Sequence, residues 1–144
     1  MSQTPIIVLL VDDQPDITET FQLHLERFEG CIVHTAADGA AGLEAYYAAH
    51  PRPDCVVLDL KMPELDGMQL TRALRGDPET ADIPIIILTA YAQEHNRQLG
   101  ELAGADFYLA KPVKPSELAA KIRAAITITA EQRIARLRRL ADES

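Results

Sequence analysis

Positions 6–11 are unbroken apolar residues, rich in β-branched side chains and bounded by Pro5 and Asp12. Such a run predicts a strand buried on both faces. Gln14-Pro15-Asp16 follows, placing a proline at a helix N1 position and an acid in the first turn. Ile17, Phe21, Leu25 and Phe28 then recur at helical spacing until Gly30. The same strand-then-helix unit repeats. Strands are predicted over 31–36, 55–59, 83–89 and 106–110, with helices over 39–49, 67–75 and 93–103 between them. Pro51-Arg52-Pro53, Gly76-Asp77-Pro78 and Gly104 mark the breaks. A fifth helix opens at Ser116, after Pro115, and carries Leu118, Ile122 and Ile126. Five strands alternating with five flanking helices predict an α/β fold with a doubly wound, five-stranded parallel sheet.

This alternation fills residues 5–126, and 127–144 fall outside it. Thr127-Ile128-Thr129 interrupts the helical pattern, and Thr129 with Gln132 has the spacing of a capping box. The helix it would open places Ile134, Leu137 and Ala141 at heptad spacing, over too short a stretch to specify a coiled coil. The expectation is a solvated helical extension or the stub of a linker. Arg133, Arg136, Arg138 and Arg139 are read as its wet face.

Composition narrows the function classes. The chain of 144 residues is long enough for one domain with its own core, and 47% apolar content makes it globular. A formal charge of −8 disfavours a nucleic-acid or anionic-membrane surface. Cys31 and Cys55 lie in apolar runs without a neighbouring Cys or His at ligand spacing, so both are expected to be buried thiols. His24, His34, His50 and His95 are scattered and form no metal cluster. The N-terminal residues lack a basic segment, and no apolar run approaches the ~20 residues of a membrane span. A cytoplasmic location is the expectation.

The chemistry collects where the strands end. Strand one runs into Asp12-Asp13, strand three into Asp59, strand four into Thr89 and strand five into Lys111. In a parallel sheet these ends share one edge, and ligands bind there at the point where the strand order reverses. With the order 2-1-3-4-5, Asp12, Asp13 and Asp59 meet at that point, flanked by Thr89 and Lys111. Each acid alone could cap a helix or shape a turn; the joint placement points to a site. Three neighbouring carboxylates need a cation to remain ionised. Oxygen ligands select a hard ion, and Mg²⁺ fits because it takes one or two carboxylates and accepts phosphate oxygens. A pocket with an ion, a lysine, a hydroxyl and a free carboxylate suits phosphoryl transfer.

Over positions 6–126 the chain resembles response-regulator receiver domains. The resemblance runs through Val8-Leu9-Leu10-Val11-Asp12-Asp13-Gln14, Asp59-Leu60-Lys61-Met62-Pro63-Glu64-Leu65-Asp66-Gly67, Leu88-Thr89-Ala90, Ala103-Gly104-Ala105-Asp106 and Lys111-Pro112. It implies a flavodoxin-like or CheY-like fold in which Asp59 accepts a phosphoryl group from a histidine kinase or phosphotransfer protein. By the same resemblance Asp12, Asp13 and Asp59 bind Mg²⁺, Asp12 directly or through water, with the backbone carbonyl of Lys61. Lys111 pairs with the phosphoryl oxygens, next to a cis bond to Pro112, and Pro63 and Gly67 shape the loop after Asp59. Thr89 and Tyr108 form the switch. Output passes through the fourth helix, fifth strand and fifth helix to an effector protein, an output domain or a phosphorylation-dependent homodimer. Lys61 and Tyr91 hold positions that tune phosphoryl lifetime in this family.

Two rival readings make different demands. An aspartyl-nucleophile phosphohydrolase of the haloacid-dehalogenase type would carry Asp-x-Asp on strand one and a cap domain, whereas the two acids here are adjacent. A phosphate-independent pseudo-receiver would be expected to lack an acid, the threonine or the lysine, and this chain keeps all of them.

Overall fold

A computed structural model describes residues 4–60, 66–90 and 103–143. Five strands are present: β1 (Ile7–Val11), β2 (Ile32–Ala36), β3 (Cys55–Asp59), β4 (Ile85–Thr89) and β5 (Phe107–Ala110). All pair in parallel, in the order β2-β1-β3-β4-β5. The described helices, numbered along the chain, are α1 (Pro15–Glu29), α2 (Gly39–Ala48), α3 (Gly67–Gly76), α4 (Pro115–Ala125) and α5 (Ala130–Glu143). The helix expected over 93–103 lies, apart from Ala103, outside the described residues, as do Lys61, Pro63, Tyr91 and His95.

The apolar runs become strands because both faces of the sheet are covered. β1, β3 and β4 are buried at every position. On one face Val8, Leu10, Val57, Ile86 and Leu88 pack with Leu25 of α1 and Leu118 and Ile122 of α4. On the other, Leu9, Val56, Leu58 and Ile87 pack with Tyr46 of α2 and Leu70 and Leu74 of α3. Side chains alternate across a strand, so one continuous apolar run supplies both layers. Cys31 and Cys55 are buried free thiols, as expected. Phe28 is a correction: its spacing puts it on the apolar face of α1, but it is 71% exposed in the last turn, beyond the sheet's cover.

The extension differs more from expectation. Its helix forms, and Thr129 and Gln132 close the capping box through reciprocal bonds of 2.9 and 3.1 Å. Yet Arg133 is not on a wet face. It is 5% exposed and pairs with buried Asp106. Of the residues read as a seam, Ile134 and Ala141 are exposed and Leu137 is half-buried. Nothing in the spacing of charges along α5 could reveal this, because the partner lies on another element.

Candidate functional site

The site forms at the C-terminal edge of the sheet, where β1 and β3 are neighbours. Asp12 follows β1 and stays in register through its N–H to the Ala36 carbonyl at 3.0 Å. One of its carboxylate oxygens accepts the Gln14 N–H at 2.9 Å, which fixes the side chain at the mouth of α1. Asp59 is the last residue of β3 and is nearly buried, while Asp13 faces solvent. Ligand oxygens of Asp12, Asp13 and Asp59 lie within 4.8 Å of one another, a cluster that could hold a metal ion.

Lys111 reaches this cluster from the end of β5. Its backbone N–H donates to the Thr89 carbonyl at 2.7 Å, which sets the stem beside β4. Its Nζ lies 3.2 Å from Asp12 Oδ2 and 3.5 Å from Asp59 Oδ2, and donates to Gln14 Oε1 at 3.2 Å. The Lys111–Pro112 bond is cis, in line with the resemblance. One ammonium against three carboxylates leaves the cluster negative, so the donor set fits a hard divalent cation. Gln14 was not singled out from sequence as a site residue, and only its place beside the two acids could have suggested it.

Thr89 closes β4 and is fully buried. Tyr108 pairs with Ile87 in the β4–β5 register. Thr89, two residues further along β4, projects from the same face as Ile87, which places it beside the Tyr108 phenol. Burial pushes the Tyr108 phenol above its ordinary pKa, and Thr89 opposes that shift.

Gly67, the first residue of α3, returns the chain to the strand end. Its N–H donates to the Leu60 carbonyl at 2.9 Å, and a Cβ here would sit 2.4 Å from the Asp59 carbonyl oxygen. The start of α3 is set by a capping box in which Asp66 accepts from the Gln69 N–H at 2.9 Å and Gln69 from the Asp66 N–H at 3.0 Å. The loop carrying Lys61 lies outside the described residues.

Beside the cluster runs a groove of roughly 440 Å³ between α1 and the chain entering α4, lined by Ile17, Thr20, Phe21, Lys111, Pro112 and Pro115 among others. It is mostly apolar and has Lys111 on its border. Among the described residues no helix is long and apolar enough to cross a membrane.

Comparison with known proteins follows the same outline. Residues 8–123 match the family model of the response regulator receiver domain. The DNA-binding dual master transcriptional regulator RpaA of Synechocystis is 38% identical over 122 residues, covering 85% of this chain and 49% of that protein. The response regulator MprA of a Mycobacterium species is 42% identical over 125 residues, covering 87% and 52%. The chain spans about half the length of these curated relatives. Among solved structures, the chemotaxis protein CheY4 of Vibrio cholerae superposes with a TM-score of 0.77 at 30% identity, covering 85% of this chain and 99% of that one. A response regulator receiver domain protein from Clostridium thermocellum gives 0.77 at 33%, covering 85% and 94%. With its sheet order and motifs in agreement, the chain belongs to the response regulator receiver domain family of two-component systems.

Proposed function

We propose that the chain is a phosphorylation switch in which a carboxylate oxygen of Asp59 attacks the phosphorus of a phosphohistidine on a partner kinase or phosphotransfer protein. The P–N bond breaks as the new P–O bond forms, and the departing imidazole takes a proton from solvent. The observation that carries this reading is the approach of Lys111 Nζ to both Asp12 and Asp59, within 3.5 Å, at the edge of a three-carboxylate cluster.

The residues divide the work. Asp12, Asp13 and Asp59, with the Lys61 carbonyl, would hold Mg²⁺. That ion supplies charge neutralisation for the transferring oxygens. Lys111 exchanges its contact with Asp59 for the phosphoryl oxygens, where a fixed ammonium is most effective as negative charge shifts. The apolar groove beside it is the surface over which a partner presenting the phosphohistidine would pack. Catalysis is confined to the chain's own phosphorylation and to later attack of water on the acyl phosphate.

Signal output follows from Thr89. Its hydroxyl turns to the new phosphoryl oxygen and leaves Tyr108, which repositions along β5. The strip of the expected helix over 93–103, β5 and α4 then changes its fit to an effector, an output domain or a second copy. No nucleic acid or membrane enters this reading, and the location is cytoplasmic.

Incubating the chain with acetyl phosphate and Mg²⁺ should add one phosphoryl group to its intact mass. Chelating the metal or replacing Asp59→Asn should abolish the gain. No gain in the wild type, or an undiminished one in the variant, contradicts the assignment.

A further inference from the structure

The helix α5 is attached in an unusual way. Arg133, Arg136, Leu137 and Leu140 turn toward the domain, and of these only Arg133 is buried. A surface helix ordinarily docks through an apolar stripe; here the anchor is a guanidinium. Arg133 Nε donates to Asp106 Oδ1 at 2.6 Å and Nη2 to Oδ2 at 3.1 Å, a bidentate pair. Its Nη1 donates to the Asp82 carbonyl at 3.1 Å, and Arg136 donates to the Asp106 carbonyl.

Asp106 has a second cation. Arg75 Nη2 lies 3.3 Å from Oδ2, and its Nε and Nη1 donate to the carbonyls of Gly104 (2.9 Å), Ala81 (3.0 Å) and Ile83 (2.6 Å). Gly104, at φ 110°, lets the chain pass against the Arg75 stem. Two guanidiniums thus share one buried carboxylate, with the Asp82 carboxylate near enough to act on Arg75 as well. Burial lowers the Arg75 pKa to about 10, opposed chiefly by Asp106, with the Arg133 charge lowering it further and Asp82 raising it. Withdrawing one partner of a buried pair is normally costly because it orphans the other charge. Withdrawing Arg133 orphans none: Asp106 keeps Arg75 and the Ile85 N–H at 2.9 Å.

That last bond gives the anchor its position. Asp106 immediately precedes β5 and ties it to the first residue of β4, the strand that ends in Thr89. The helix is therefore fastened at the base of the two strands whose upper parts carry the Thr89–Tyr108 pair.

We propose that α5 is a releasable latch on the base of β4 and β5, coupled to the Thr89–Tyr108 pair so that phosphorylation at Asp59 loosens it. The proposal rests on the phosphoacceptor reading above. The docked helix holds the base of β4 and β5 in the register that sets Tyr108 opposite Ile87 and beside Thr89, so a phosphoryl group that draws Thr89 away acts on the same two strands and against docking. By reciprocity, a chain whose latch is weakened binds a phosphoryl mimic more tightly by the same factor.

Hydrogen exchange on the full chain, with and without beryllofluoride, tests this. Beryllofluoride should slow exchange around Asp59 and raise it across 130–143, by about 5- to 150-fold for coupling of ordinary size. Arg133→Ala should raise exchange across 130–143 without beryllofluoride, leave β1 and β3 protected, and tighten beryllofluoride binding. Ile134→Ala, on the solvent side of the same helix, should do neither. If Arg133→Ala loses protection in β1 and β3 as well, Arg133→Lys, which keeps the charge but not the fork, provides the same comparison. A response at Asp59 with 130–143 unmoved overturns the latch and leaves the acceptor reading standing. No response at Asp59 removes the acceptor reading and the coupling together.

Discussion

Tyr108 is a residue of the proposed switch on whose side chain burial acts directly. Burial raises its pKa above the ordinary 10.0, so the folded chain favours the neutral phenol. The sign follows from linkage: this contribution to stability is fully present below pH 10 and is lost as pH rises past the unfolded value toward the folded one. Tyr46 is raised by burial too, and Tyr47 chiefly by its bond to Asp77, so the difference between wild type and Tyr108→Phe isolates the residue. An alkaline titration of tyrosine absorbance should show that difference centred above the free phenol value. A difference centred at or below it contradicts the buried placement of the phenol. At this scale the acids, Thr89 and Lys111 could be read from sequence because each stands where a strand stops. Gln14 and Arg133 could not, since their importance lies in contacts to Lys111 and Asp106, which are 97 and 27 residues away along the chain respectively.

Between elements, the closest constraint on the site is the approach of α3 to the end of β3. A side chain at Gly67 would meet the Asp59 carbonyl oxygen at 2.4 Å and the Leu60 Cα at 2.9 Å, both backbone atoms that cannot swing aside. Gly67→Ala should therefore shift the strand end that carries Asp59. The expected cost is about 1–3 kcal/mol in denaturant unfolding, as for other overpacked sites, with slower phosphorylation by acetyl phosphate. Unchanged stability and rate would show that the two elements are not in this contact. The strands themselves were legible because the central three are apolar on both faces and punctuated by Pro, Gly and Asp. Their first residues were less so: β4 starts at Ile85, not at 83, because Ile83 and Pro84 precede the ladder, and the apolar pattern does not mark where pairing begins.

For the molecule as a whole, parallel winding separates two polar centres. The Asp12, Asp13, Asp59 and Lys111 cluster lies at the C-terminal ends of the strands, and Asp106 with Arg75 and Arg133 lies at the N-terminal ends of β4 and β5. The first centre was readable from strand order and motif together. The second was not, because an arginine on a helix looks solvated until a buried carboxylate on another element is known. The central claim concerns the first centre, and its most direct test is to locate the phosphoryl group. Peptide mapping of the chain after reaction with acetyl phosphate and Mg²⁺ should place the added group on Asp59. A phosphoryl group found on Asp12, Asp13 or any other residue would contradict the account.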